Sequence, residues 1–128
     1  MKILIDTHAL LWFFLDDARL SEKAKTVYLD VNHQLFVSTA SLWEICIKHS
    51  LGKLKLKPNW FLLFMNQIQQ NSIQWLSIIP EHCHQVSLLP FLHRDPFDRM
   101  LVAQSLVEEM QVLTQDPSFK LYGVKSLW

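Results

Sequence analysis

Four carboxylates stand where strands should end or helices begin: Asp6, Glu44, Asp98 and Asp116. Asp6 directly follows the apolar run ILI, and Asp116 follows VLT after Gln115. Glu44 and Asp98 fall in the first turns of expected helices. In an open parallel sheet, ligands bind beyond the carboxyl ends of the strands, so acids far apart in sequence can converge on one rim. Like charges brought together there repel unless a cation or a raised pKa relieves them. A hard divalent ion held by carboxylates and water, Mg2+ or Mn2+, is the economical answer, and no Cys/His spacing supports zinc.

Each acid taken alone also has a mechanical explanation. Asp6 can cap a helix starting near His8, and Asp116 before Pro117 is a common helix start. Glu44 can pair with Lys48 at i,i+4, worth about 0.2–0.5 kcal/mol. In HRDPFDRML, residues 93–101, Asp95 suits an N-cap and Pro96 the first turn. Asp98 can complement the helix dipole or reach back towards Asp95. The run EHCH, residues 81–84, superficially suggests a soft-metal site. On a helix its side chains point in successive directions, so the expectation is a core Cys83 flanked by surface histidines.

The elements that must position these groups follow from hydrophobic periodicity. ILI (3–5), LFVS (35–38), WLSII (75–79) and VLT (112–114) read as buried strands, with a short edge strand in the closing GVKSLW. Helices are expected from about His8 to Leu15, from a Ser21 cap to near Asn32, and from Thr39 or Ser41 to Gly52. Others should run from Pro58 to near Asn71, briefly from Pro80, and from Pro96 to about Met110. The last should turn Met100, Ala103, Leu106 or Val107, and Met110 to the core. Strands alternating with helices imply right-handed crossovers and a mostly parallel sheet of four to five strands with helices on both faces, an α/β class.

A chain of 128 residues fits one domain, residues 1–128. Half the residues are hydrophobic, which excludes disorder and supplies a real core. Twelve basic residues balance twelve acidic ones, so any nucleic-acid binding must rest on local patches. The most visible, KHSLGKLKLK at 48–57, reads equally as an edge strand guarded by lysines. Cys46 and Cys83 are too few for a disulfide framework and should act as small apolar residues in a reducing compartment. Trp43 is expected in the core. No run suits a signal peptide or membrane span, so a soluble cytoplasmic protein is expected.

The order and surroundings of the four acids resemble those of the PIN-domain nucleases, in particular the VapC-like toxins of type II toxin-antitoxin pairs. The likeness runs through DTHALLW, VSTASLWEICIK, GKLKL, LPFLHRDPFDRMLVAQ, LTQDPSF and YGV, nearly the whole chain. It implies a PIN-like fold, Mg2+- or Mn2+-dependent endoribonuclease activity on RNA, a homodimer, and inhibition by a cognate antitoxin. It assigns the metal-binding catalytic acids to Asp6, Glu44, Asp98 and Asp116. Asp98 is preferred to Asp95 because DRMLVAQSL matches an acid followed directly by an apolar, alanine-bearing helix. Asp95, Thr7 and Thr114 take supporting places. Two other classes put acids at strand ends: a magnesium-binding phosphoacceptor signalling domain, and a non-catalytic PIN-like interaction domain. The first usually has adjacent acids at its first strand end, whereas Asp6 is followed by Thr7.

Overall fold

Alternation along ILI sets the architecture. Successive strand side chains point to opposite faces, and here Ile3 and Ile5 enter one core layer while Leu4 enters the other, all fully buried. A strand buried on both faces must be central, and β1 (Lys2–Ile5) is. In the computed structural model, which describes residues 1–128, it pairs in parallel with β2 (Gln34–Ser38) and β4 (Gln111–Leu113). The edges are β3 (Gln74–Leu76) and β5 (Ser126–Leu127), in the all-parallel order β3-β2-β1-β4-β5. The strand order therefore reverses at β1, and crevices open beyond its carboxyl end.

Helices cover both faces. On one side lie α1 (Thr7–Phe14), α2 (Glu22–Leu29) and α4 (Trp60–Gln70), contributing Leu10, Val27, Tyr28, Phe64 and Ile68, together with Ile45 of α3 (Thr39–Ser50). On the other, α6 (Pro96–Glu108) contributes Leu101, Val102 and Ala103, joined by Leu89 after α5 (Pro80–Leu88) and Phe119 of α7 (Ser118–Leu121). The expected α/β class is the observed one, and of the four to five strands expected there are five.

Several local expectations differ. The strand at 75–79 pairs only as far as Leu76, because its partner β2 ends at Ser38, whose hydroxyl turns to cap α3 by accepting from Ala40 N at 3.0 Å. The lysine segment is no edge strand. After Gly52, which takes the left-handed φ of +72° that ends α3, residues 53–57 run irregularly with Leu54 and Leu56 against the core. The Pro96 helix buries more than a stripe. Residues Leu101 to Ser105 are all buried, because α6 packs against α3 and α5 as well as the sheet, and Met100, Leu106 and Val107 lie only partly buried at its flanks. No helix is long and apolar enough to cross a membrane.

EHCH departs from its expectation at two positions, since His82 is fully buried and Cys83 is exposed, while His84 lies at the surface as expected. His82 sits in the first turn of α5, where its Nδ1 accepts the Ile79 N–H at 3.1 Å. The acceptor role fixes the proton on Nε2, which donates to Glu108 Oε2 at 2.9 Å and ties α5 to the end of α6. Replacing His82 by Leu leaves a backbone donor and a carboxylate without their partner, so about 1–3 kcal/mol of stability should be lost. Urea denaturation checks this, and a variant as stable as wild type would show that the two bonds contribute nothing net.

Candidate active site

Asp6 emerges where β1 meets α1. Its backbone continues the sheet, with Asp6 N donating to Leu113 O at 3.0 Å, and its side chain is 3% exposed. It stands at the N-cap position of α1, but its carboxylate makes no capping hydrogen bond. Instead Oδ2 accepts from the Thr114 hydroxyl at 2.8 Å, and that hydroxyl in turn accepts Asp116 N at 3.0 Å. Thr114 thus joins the ends of β1 and β4 and sets the spacing between two acids. Thr7 does the same for helices, donating to Ser41 Oγ of α3 at 2.9 Å.

Glu44 reaches the rim from α3, whose inward face carries Ala40, Ser41, Glu44 and Ile45. Its Oε2 accepts from Lys48 Nζ at 2.7 Å, so the i,i+4 pair exists, yet Glu44 is 2% exposed and Oε1 has no partner. This inward acid fixes the helix phase and turns Trp43 outward, 60% exposed and edge-on to Phe97 with centroids 5.3 Å apart. Trp43 is therefore not a core residue. Cys46, two positions past Glu44, is exposed for the same reason. Trp128 is partly buried against the core, edge-on to Trp12.

Asp95 and Asp98 divide their work. Asp95 Oδ1 accepts from Phe97 N and Asp98 N at 2.9 and 3.1 Å, capping α6 ahead of Pro96. Asp98, one turn on, does not reach back. Its Oδ2 meets His93 Nε2 at 2.9 Å. Truncating the cap as Asp95→Ala should cost about 1 kcal/mol of stability and lower any divalent-ion affinity much less than Asp98→Ala does. Equal loss of ion binding in Asp95→Ala and Asp98→Ala would contradict that division, and calorimetric titration of both variants decides it.

Asp98 is the electrostatic centre of the group. Burial raises its pKa, and the negative charges of Asp95 and Glu44 add to the rise. Burial likewise pushes Asp6 up to about 6, with the Asp98 charge contributing and the Thr114 hydrogen bond opposing. On the far side, Asp98, Asp116 and His93 bring one ligand atom each to within 4.8 Å of one another. Asp116 is held by Ser118, whose backbone N–H donates to Oδ1 at 2.9 Å and whose hydroxyl donates to the same oxygen. The pKa of Lys48 is raised chiefly by the bond to Glu44, and the negative charges of Asp95 and Asp98 add to the rise. Of the four acids expected from the sequence, Asp98 and Asp116 thus meet in one group with His93, while Asp6 and Glu44 are coupled to Asp98 through their charges and lie outside that group of ligand atoms.

Beside them is an open cavity of about 470 Å³ lined by Asp6, His8, Trp12, Arg19, Gln115 and Asp116. Arg19 lies over the Trp12 ring at 5.0 Å and is paired with Asp17. A larger hollow of about 560 Å³ near Trp43 and Phe97 is mostly apolar and lacks convergent acids, so it is not where the chemistry concentrates. Sequence reasoning missed His93. Its signal was a histidine five residues before Asp98 in the loop leading into the capped helix.

Comparison with known proteins follows the same lines. The family model described as PIN domain matches residues 3–125. The structure of VapBC2 from Rickettsia felis, bound to a DNA fragment from its promoter, aligns over 99% of this chain and 98% of its own, with a TM-score of 0.74 and 12% identity. VapBC-1 from nontypeable Haemophilus influenzae aligns over 99% and 97%, with a TM-score of 0.72 and 14% identity. A toxin-antitoxin complex from Klebsiella pneumoniae aligns over 98% and 96%, with a TM-score of 0.63 and 11% identity. At such identities the likeness is one of fold. No curated protein matches in sequence.

Proposed function

The chain belongs to the PIN-domain family, and from that premise we propose that it is a metal-dependent endoribonuclease, the toxin of a toxin-antitoxin pair. The observation that carries this reading is the pair of buried carboxylate oxygens, Asp6 Oδ1 and Glu44 Oε1, that have no hydrogen-bond partner in a cluster already crowded with negative charge. Buried acceptors without donors are costly, and a divalent cation relieves both the missing partners and the repulsion. Oxygen-rich ligation suits Mg2+ or Mn2+.

Asp6, Asp98 and Asp116 would hold the ion, and Glu44 would orient a water or contribute to a second position. Magnesium takes few direct carboxylates and keeps several waters, so some of the four act through water. Such an ion, when bound, supplies Lewis acidity that acidifies an attacking water and polarises the scissile phosphate. The protein's part is to place that water. Thr114 fixes the Asp6 carboxylate, Ser118 fixes Asp116, and the Asp95 cap aims Asp98. With no net charge on the chain, attraction for RNA falls to local groups, and Arg19 and His8 in the acid-lined cavity and Lys48 beside Glu44 are placed for phosphates.

The solved neighbour from Klebsiella pneumoniae described as a toxin-antitoxin complex supports an antitoxin partner, and the reading includes a cytoplasmic homodimer restrained by it. The test is incubation of the partner-free protein with structured RNAs, with Mg2+ or Mn2+ and with EDTA. Cleavage only with the ion is expected. Intact RNA in every arm, or phosphate uptake from acetyl phosphate in its place, would overturn the reading.

A further inference from the structure

Resting on the metal-site reading above, we infer that His93 is a direct nitrogen ligand of the same centre, so that the site is mixed nitrogen–oxygen and favours a transition-series divalent cation such as Mn2+ over Mg2+. A ring nitrogen of His93 lies with carboxylate oxygens of Asp98 and Asp116 in one group whose ligand atoms are all within 4.8 Å. His93 Nε2 is 2.9 Å from Asp98 Oδ2. Two neighbouring ligands of one ion, each roughly 2.1 Å from it, stand about 3 Å apart, so the pair has the spacing to share a cation once the hydrogen between Nε2 and Oδ2 has moved to Nδ1 or to solvent. The unpartnered, buried Asp6 Oδ1 is an independent sign that the cluster is built for a positive ion.

The loop that carries His93 is anchored. Buried Arg99 donates Nη1 to Pro90 O at 2.9 Å and Nη2 to Val86 O at 3.3 Å, which pins the turn between α5 and α6. At its other end the Asp95 cap joins the loop to α6. The imidazole is therefore delivered at a set distance from Asp98. A nitrogen donor distinguishes ions: imidazole suits transition metals, whereas Mg2+ prefers carboxylate, carbonyl and water. If His93 only orients Asp98 through a hydrogen bond, its loss weakens Mg2+ and Mn2+ alike. If it ligates, the loss falls on Mn2+.

The experiment is pulsed electron paramagnetic resonance of Mn2+ bound to the full chain, with 14N- or 15N-histidine, paired with calorimetric titrations of Mn2+ and Mg2+. Wild type should show coupling to one directly bound imidazole nitrogen. His93→Gln, which keeps a hydrogen-bond donor, should lose the coupling and about tenfold or more in Mn2+ affinity, with Mg2+ little changed. His8→Gln, altering the other histidine near Asp6, should retain it. Bound Mn2+ without nitrogen coupling, coupling that survives His93→Gln, or equal losses for both ions would overturn the inference alone. Mn2+ binding equally to wild type and Asp98→Asn would overturn the metal-site reading as well.

Discussion

Asp98→Asn is expected to abolish the proposed metal-dependent RNA cleavage while the protein stays folded. The fall should be at least about a thousandfold, because the several kcal/mol an ion supplies at the reacting phosphate converts to a factor of ten per 1.36 kcal/mol. Asp98 is chosen because it links the acids: the charges of Asp95 and Glu44 raise its pKa, its own charge raises that of Asp6, and its oxygen groups with Asp116 and His93. Folding should survive because the cap on α6 belongs to Asp95, and the Asp98 backbone N–H that it holds is untouched by the change. Circular dichroism and single-turnover cleavage, measured on one preparation, separate the two effects. Wild-type cleavage by the variant would remove Asp98 from the mechanism.

Asp6→Asn should make the metal-free protein more stable at neutral pH, on the order of 2–3 kcal/mol. Burial lifts the Asp6 pKa from 3.8 to about 6, so above pH 6 the fold carries a buried carboxylate that is disfavoured relative to the unfolded chain. As pH falls from about 6 towards 4, the folded protein takes up a proton that the unfolded chain does not, and wild type gains stability. Asparagine has no such penalty and can still accept from Thr114. The difference should therefore be largest above pH 6 and vanish near pH 4, as read from urea denaturation in EDTA. Added Mn2+ should reverse the ranking, since a ligand that binds only the folded wild type stabilises it by mass action. A variant less stable than wild type at pH 7.5 in EDTA would show that the ionised Asp6 is a structural asset and not a cost of the site.

The pattern that exposed the fold was the abrupt ending of apolar runs in acids. ILI closing on Asp6 and VLT closing just before Asp116 located two strands and, by the same residues, the rim beyond them. Glu44 and Asp98 were legible as acids one turn into helices whose starts Ser38 and Asp95 cap. What hydropathy misread was helix phase. An inward-facing acid contradicts the rule that charges face water, so α3 was turned to bury Trp43 and Cys46 when the buried face is the one carrying Glu44. The same inversion occurred in α5, where His82 is inside because both ring nitrogens find partners and Cys83 is outside. Functional and polar cores set the phase in both helices. His93 had no period to betray it, since it lies in a loop whose position depends on the distant Arg99 contacts.

The most direct test of the whole account is an anomalous difference map from crystals of the protein grown with Mn2+. A peak is expected at bonding distance from carboxylate oxygens of Asp98 and Asp116, with Asp6 facing it directly or through one water. No peak among these acids at saturating Mn2+, or a peak bound elsewhere on the chain, would contradict it.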